Sequence, residues 1–224
     1  MIIAPEIFTP DAPRGFIVLE GVNGAGKSTL QRELVRIAGG KGLKVVSSFE
    51  PGATKIGSAL RSLLLEHKAD KPHALTELLL FAADRAEHVE TLIKPALNQR
   101  KLVISDRYFY STTAFQGYGR GLDQALIDSL NNTATGGLTP DLVILLDLDP
   151  AIGLRRNTAQ SGNNDAFERE TIDFHARLRA GFLKIAEVSS EPFVVVNAAE
   201  PPEQVLSAVQ PIFERLIAKF QASL

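Results

Sequence analysis

The stretch that most constrains the fold is residues 21–29, Gly-Val-Asn-Gly-Ala-Gly-Lys-Ser-Thr. It fits the phosphate-loop pattern, in which a glycine and four further residues precede Gly-Lys-Ser. The apolar run at 16–19 before it predicts a buried strand, and the apolar spacing at 30–37 after it predicts an amphipathic helix. Because glycines let backbone N–H groups converge and a helix N-terminus adds partial positive charge, we predict a polyphosphate site here. A chance glycine-rich turn is the alternative.

Two side chains of this loop have predicted roles. Lys27 is expected to reach the β- and γ-phosphates of a bound triphosphate, and Ser28 to ligate Mg²⁺. The rest of the chain should then supply a second substrate and the means to close over it.

Composition and charge exclude several classes of protein. The chain has 24 basic and 26 acidic residues, and this balance argues against nonspecific nucleic-acid binding. No apolar run approaches the roughly 20 residues that span a bilayer. Residues 1–13 carry three prolines and no basic start, so they do not resemble a secretory signal. With zero cysteines, disulfides and thiolate metal sites are excluded. We expect a cytoplasmic protein with neither nucleic-acid nor membrane partners.

Strands alternate with helices along the chain. Further strands are predicted at 44–48, 101–105, 142–146 and 192–196, and helices at 56–65, 74–97, 122–130, 151–156, 167–188 and 201–220. This alternation predicts an α/β fold with a five-stranded parallel sheet and helices on both faces. Pro95 is expected to bend or end its helix. We assign no regular element to 108–121, and the small polar residues 157–165 predict a mobile loop.

Polar residues follow four of the predicted strands, namely Asn23, Glu50, Asp106 and Asp147. Ligands of parallel sheets bind at the carboxyl ends of strands, so we expect these residues around one crevice. Asp106 is placed to hold Mg²⁺ or its waters, and Arg107 can hold an acceptor phosphate as a planar fork. A surface ion pair is the alternative for these two residues.

Other candidates lie on helices. Phe81 and Arg85 share one helical face, where a ring can stack on a base and a guanidinium can donate to it. The alternative places Phe81 in the core and pairs Arg85 with Asp84 or Glu87. Arginines at 155, 156 and 169 flank the polar loop and can close onto phosphates, or simply be solvated helix ends.

Several segments together resemble the thymidylate kinase family, from Gly15 to the last helix. Besides the loop, the matching stretches are Glu-Pro-Gly at 50–52, Leu-Arg-Ser-Leu-Leu-Leu at 60–65, Phe-Ala-Ala-Asp-Arg-Ala-Glu-His-Val at 81–89, Ser-Asp-Arg-Tyr at 105–108, Ser-Thr-Thr-Ala-Phe-Gln-Gly at 111–117, Pro-Asp-Leu at 140–142 and Gly-Leu-Arg-Arg at 153–156. The resemblance implies a P-loop NTPase three-layer sandwich. From the residues themselves, we interpret 1–13 as an irregular extension and 14–224 as a single kinase domain, with a small lid at about 157–168. The implied activity is ATP- and Mg²⁺-dependent phosphorylation of dTMP to dTDP, by a homodimer.

The resemblance also implies roles for individual residues. Phe81 would stack on thymine, Arg85 would donate to its exocyclic oxygen, and Phe115 would exclude a 2′-hydroxyl. The implied catalytic residues are Lys27, Asp106, Arg107 and Arg156, and the metal ligands are Ser28 and Asp106. The ATP-binding residues are Gly21, Asn23, Gly24, Ala25, Gly26, Lys27, Ser28, Thr29, Arg156, Asn197, Ala198 and Ala199. The dTMP-binding residues are Asn23, Glu50, Phe81, Arg85, Arg107, Ser111, Thr112 and Phe115.

Three departures from the family pattern leave alternatives open. Asn23 replaces an acidic residue that contacts the sugar of dTMP. Phe49 stands where many relatives have Arg, with Lys55 a weak substitute. Gly24 stands where one branch of the family has an arginine in the loop, and Ala166 stands at a position where an arginine of the lid is expected. The alternatives are a related kinase acting on another nucleoside or nucleoside monophosphate, and a catalytically weak nucleotide-binding protein. A GTPase is disfavoured because the sequence lacks the guanine-reading Asn-Lys-x-Asp segment.

Overall fold

A computed structural model describes residues 12–65, 71–161 and 167–224 of the chain. Most of the predicted N-terminal extension and the centre of the predicted lid, including Ala166, lie outside the described residues.

The described residues form one five-stranded parallel sheet, as predicted. Its strand order is β2-β3-β1-β4-β5, so the strand before the phosphate loop is central. The strands are β1 (Phe16–Gly21), β2 (Val45–Phe49), β3 (Leu102–Asp106), β4 (Leu142–Asp147) and β5 (Phe193–Asn197). Each predicted strand is confirmed within one or two residues at either end.

Burial explains why these runs form strands. Every residue of β1 is buried, and β4 is buried except at its last residue, because helices cover both faces of the sheet. The edge strand β2 is only partly buried. Asp106, the last residue of β3, lies opposite Phe49, the last residue of β2, and opposite Leu19, which is two residues before the end of β1. The sheet therefore brings the ends of β1, β2 and β3 to one edge.

Helices connect the strands. They are α1 (Lys27–Gly40), α2 (Lys55–Leu65), α3 (Ala74–His88), α4 (Lys94–Asn98), α5 (Phe109–Thr112), α6 (Gln124–Thr135), α7 (Pro150–Ser161), α8 (Ile172–Val188) and α9 (Pro202–Ala222). Among the described residues, none of these helices has both the length and the apolar character that crossing a membrane requires.

We expected Pro95 either to bend or to end its helix. The helix that begins at Ala74 does not end there, so the second of these expectations is wrong. Residues Val89–Ile93 form a π-helical segment, in which the Lys94 N–H donates to Val89 O five residues earlier. The widened turn accommodates a proline, which lacks an N–H, so the helical path continues through α4 to Asn98.

The stretch without a predicted element, 108–121, is largely helical. A π-helical segment, Thr113–Gly119, continues α5. The start of α5 is capped by a residue distant in sequence. The buried Glu20 accepts hydrogen bonds from the Tyr108 N–H (3.0 Å) and the Ser111 N–H (3.1 Å). Local sequence carries no sign of a cap that comes from another strand.

The boundaries around the predicted lid also differ from expectation. Residues 157–161 belong to α7 and not to a loop, and α8 begins at Ile172 instead of 167. Thr171 caps α8 by accepting a hydrogen bond from the Phe174 N–H, which fixes the later start. Helix α6 runs past its predicted end to Thr135, where Gly136 adopts the left-handed conformation.

Candidate active site

Two cavities open at the carboxyl edge of the sheet. The first, of about 530 Å³, lies between the ends of β1 to β3 and helices α2, α3 and α5. The second, of about 860 Å³, lies between the start of α1 and the segment that joins β5 to α9. Both are lined by the same four residues, Gly24, Lys27, Ser28 and Asn157. The two cavities therefore meet at the phosphate loop.

The phosphate loop has the backbone geometry that its glycines predict. Gly24 and Gly26 have φ of 75° and 93°, a region that side chains disfavour. The Nζ of Lys27 is buried and donates to the carbonyl oxygens of Gly21 and Val22, both at 3.2 Å. The lysine therefore folds back over its own loop, at the start of α1.

The phosphate loop also touches α7 through the main chain. A Cβ on Gly24 would lie 2.2 Å from the Gly153 carbonyl oxygen, and one on Gly153 would lie 2.4 Å from that of Asn23. Neither position has room for a methyl group, so the two backbones approach as closely as glycine allows.

Ser28 and Asp106, the two residues predicted to ligate a metal, lie in direct contact. The Ser28 hydroxyl donates to Asp106 Oδ2 at 3.0 Å. A hydroxyl and a carboxylate are hard oxygen donors, and Mg²⁺ usually takes one or two such protein ligands and completes its shell with phosphate and water. The residues present therefore fit Mg²⁺.

Arg107 lines the first cavity and is held by several hydrogen bonds. Its Nη2 donates to Asn23 Oδ1 at 2.6 Å, and its Nη1 donates to Gly21 O (2.9 Å) and Ser111 Oγ (3.0 Å). Its φ is 77°, a strained conformation for a residue with a side chain, at a cost of about 1–3 kcal/mol. The guanidinium is held against the loop, with its carbon 5.2 Å from the centroid of the Phe115 ring.

Glu20 supports this arrangement from beneath. Its Oε2 accepts from Ser111 Oγ at 2.7 Å and lies 3.8 Å from Arg107 Nη1. Burial raises the pKa of Glu20, although the nearby charge of Arg107 opposes that rise.

Arg85 forms a buried ion pair that the sequence did not predict. Its side chain is 1% exposed, and its Nη2 lies 2.8 Å from Oε2 of Glu50, which also accepts from Nε at 2.9 Å. Nη1 donates to Thr112 Oγ1 (2.9 Å) and Asn131 Oδ1 (3.2 Å). Pairing with Asp84 or Glu87, our alternative, is therefore wrong.

The acidic groups around Arg85 have opposite pKa shifts. Burial favours the protonated form of Glu50, but Arg85 and His88 outweigh it, so the pKa of Glu50 lies below its usual value. His88 contributes through its Nδ1, 2.9 Å from Glu50 Oε1. Burial and the charge of Glu50 raise the pKa of Asp84 to about 6.

Aromatic rings form one wall of the first cavity. The centroid of the Phe167 ring lies 6.0 Å from that of Phe81 and 5.1 Å from that of Phe115. Phe81 thus lines the cavity and is not confined to the core. The size and flatness of this wall suit a planar ring such as a nucleobase.

Arg156 crosses the second cavity. Its Nη1 donates to Ala198 O at 2.8 Å and its Nη2 to Ala199 O at 3.3 Å. It thereby joins α7 to the segment after β5, and both alanines line the cavity.

Most of the sequence-predicted site residues line one cavity or the other. The first holds Asn23, Gly24, Lys27, Ser28, Glu50, Phe81, Arg85, Asp106, Arg107, Ser111, Thr112 and Phe115. The second holds Gly24, Ala25, Gly26, Lys27, Ser28, Thr29, Arg156, Ala198 and Ala199.

A few predicted residues line neither cavity. Asn197 precedes the lining residue Ala198, and the Gly21 carbonyl oxygen accepts hydrogen bonds from the lining residues Lys27 and Arg107. Asp147, in contrast, is not part of the crevice, contrary to our expectation. It accepts two hydrogen bonds from Arg179, at 2.7 and 2.8 Å, across to α8. Arg155, Arg169 and Lys55 also lie outside both cavities.

Sequence reasoning missed several lining residues. Arg61 lies with its guanidinium carbon 5.7 Å from the centroid of the Phe49 ring, and it donates to Pro51 O at 2.7 Å. A cation therefore stands beside Phe49, although Lys55 does not supply it. Gln116 also lines the first cavity. Arg61 and Gln116 lie in two of the stretches that resemble the family, at 60–65 and 111–117. Their place in these stretches is the sequence feature that could have identified them as site residues.

Comparison with known proteins gives one family. The family model described as Thymidylate kinase matches residues 19–209. The chain is 43% identical over 208 residues to the thymidylate kinase of Solidesulfovibrio magneticus, covering 90% of this chain and 100% of that one. It is 46% identical over 198 residues to that of a Nostoc species, covering 88% and 94%.

A solved structure agrees with the sequence comparisons. The crystal structure of thymidylate kinase from Ehrlichia chaffeensis superposes with a TM-score of 0.70 at 34% identity, covering 88% of this chain and 97% of that one. Its fold confirms the P-loop NTPase architecture predicted from the sequence. With one family found by all three comparisons, and with the phosphate loop, Asp106-Arg107 and Phe81 to Arg85 arranged around joined cavities, the chain belongs to the thymidylate kinase family.

Proposed function

We propose that this protein transfers the γ-phosphoryl group of ATP to dTMP, giving ADP and dTDP, a step of dTTP biosynthesis. The observation that carries the proposal is the meeting of the two cavities at Lys27 and Ser28. One cavity takes ATP with its phosphates on the loop, and the other takes dTMP with its phosphate facing them. An oxygen of the dTMP phosphate forms the new P–O bond as the bond to ADP breaks.

The roles of the donor residues follow from their positions. The loop N–H groups and the start of α1 bind the ATP phosphates. When ATP binds, Lys27 exchanges its carbonyl partners for the negatively charged β- and γ-phosphates. Arg156, with the backbone of Ala198 and Ala199, holds the adenine side of ATP. Ser28 and Asp106 would hold Mg²⁺, which would neutralise phosphate charge during the transfer.

The acceptor residues bind dTMP at both of its ends. Arg107 and Ser111 hold the dTMP phosphate, since the Arg107 guanidinium is fixed against the loop. Phe81 stacks on thymine, Arg85 and Thr112 face its polar edge, and Phe115 lies beside the deoxyribose. Asn23 accepts from Arg107 in place of a carboxylate and can still hydrogen-bond the sugar hydroxyl.

Several wider features belong to the same proposal. Residues 14–224 form a single kinase domain, with residues 157–168 as a lid that excludes water during transfer. The protein acts in the cytoplasm as a homodimer, with neither nucleic-acid nor membrane partners.

A coupled assay of ADP release tests the reaction. With Mg²⁺-ATP, dTMP should be the preferred acceptor over UMP, CMP, AMP and GMP, and Lys27→Ala should abolish turnover without lowering the thermal midpoint. Absence of dTMP-dependent ADP release refutes the proposal. Calorimetry then separates a silent nucleotide-binding protein, which binds ATP and dTMP without turnover, from a kinase with another acceptor, which a thermal-shift panel identifies.

A further inference from the structure

A buried carboxylate outside the proposed reaction holds a side chain of the acceptor cavity. Glu77, on α3, is 5% exposed. Its Oε1 accepts from Gln116 Nε2 at 2.8 Å, and the same carboxylate accepts from Arg120 Nε and Nη2, each at 3.2 Å. Gln116 lines the first cavity, whereas Glu77 does not.

The chemistry of these groups determines how the Gln116 amide is turned. The carboxylate oxygens of Glu77 accept hydrogen bonds from Arg120 and from Gln116, and within the glutamine amide only the NH₂ group can donate. The NH₂ group of Gln116 must therefore face Glu77, which leaves its carbonyl oxygen on the other side. That oxygen accepts no hydrogen bond from any residue that the structure describes.

Pyrimidines differ at the ring position that such an oxygen can read. The ring N3 of thymine or uracil carries a hydrogen and donates, whereas N3 of cytosine accepts. When its NH₂ group is bound to Glu77, the amide presents its carbonyl oxygen, which can accept a hydrogen bond from N3–H of thymine or uracil. Facing cytosine, the same oxygen would meet the N3 lone pair and be repelled.

We propose that Glu77 is a positioning residue for base selection, which orients Gln116 so that the acceptor cavity favours thymine and disfavours cytosine. The inference rests on the proposed function, because it takes the first cavity to be the site for dTMP. Glu77 touches neither substrate, and its effect passes through the Gln116 amide. Without the carboxylate, that amide can turn and present its NH₂ group to cytosine.

Glu77→Gln is the direct test, with dTMP, dUMP and dCMP measured both as ligands by calorimetry and as acceptors by ADP release. We expect the preference for dTMP over dCMP to fall about tenfold or more, since a site built around one hydrogen bond discriminates through it. The preference for dTMP over dUMP should stay within about twofold, because both bases carry the N3 hydrogen.

Glu170→Gln is the matched control. Glu170 is the other carboxylate of Arg120, at 2.9 Å from Nη1, and has no hydrogen bond to Gln116. This variant makes the same chemical change around the same arginine, so its selectivity should equal that of the wild type. If Glu170→Gln lost as much selectivity for dTMP over dCMP as Glu77→Gln, the cause would be a general change of packing around Arg120. That result would overturn the inference.

Gln116→Leu keeps the proposal testable if Glu77→Gln folds poorly. This variant should lose the same selectivity, and the double variant should lose no more than Gln116→Leu alone, because Glu77 acts through that amide. Unchanged selectivity in either single variant, or wild-type protein that binds dCMP as tightly as dTMP, overturns the inference. Selective binding without ADP release contradicts only the proposed reaction.

Discussion

Replacing Arg85 by methionine should destabilise the protein as well as weaken dTMP binding. Arg85 and Glu50 are both buried, and their ion pair has little access to water. Removing one partner of a buried pair leaves the other charge uncompensated, which costs about 3–5 kcal/mol. For a chain of this size, each kcal/mol lowers the thermal midpoint by about 2–4 °C, so the midpoint should fall by roughly 6–20 °C.

Urea unfolding without nucleotide measures this loss. Glu50→Gln combined with Arg85→Met is the control, because it removes both charges and should recover a large part of the lost stability. The KM for dTMP should rise far more than that for ATP in Arg85→Met, since the arginine lines only the first cavity.

The pH dependence of this variant has a definite sign. In the wild type the pKa of Glu50 is lowered, so its contribution to stability is present at neutral pH and is lost as the pH falls through that pKa. Without Arg85, burial raises the pKa of Glu50, and protonation relieves the buried charge. The stability difference between variant and wild type should therefore shrink as the pH falls from 7 to 5. A loss under about 1 kcal/mol at pH 7, or a double variant less stable than Arg85→Met, would refute the reasoning.

Two further predictions concern other parts of the site. Because the pKa of Asp84 is about 6, its raised value should make the wild type more stable by about 1 kcal/mol as the pH falls from 7 to 5, and Asp84→Asn should lack this gain in urea titrations. Equal slopes in the two proteins would contradict the assignment. Arg156→Ala should raise the KM for ATP about tenfold while changing that for dTMP less than about threefold, because its carbonyl partners line only the second cavity. Equal effects in steady-state kinetics would move Arg156 out of the donor site.

The sheet and much of the site could be predicted from sequence because their signals are local. Buried parallel strands such as β4 are almost wholly apolar, and glycine, lysine and serine mark the phosphate loop. Asp106 could be placed at a strand end for the same reason. The parallel sheet then brings residues distant in sequence to one edge without further information.

The partners of charged residues could not be predicted in this way. Arg85 pairs with Glu50 and Asp147 with Arg179, and in each case the partner lies on an element distant in sequence. The expectation that polar residues at strand ends line the crevice is therefore wrong for Asp147, because its carboxylate binds Arg179 of α8. The helical form of 109–119 was missed for a similar reason, because its cap, Glu20, comes from β1.

The main-chain approach between the phosphate loop and α7 has a consequence for how such sequences can diverge. Gly24 and Gly153 each leave space for the other segment's backbone, so a larger residue at one cannot be compensated by a smaller one at the other. For relatives that carry a side chain at the position of Gly24, such as the loop arginine of one branch, we expect the segment equivalent to α7 to lie farther from the loop. Lineages with the two kinds of loop should therefore be separated by a displaced helix, and single substitutions should not interconvert them.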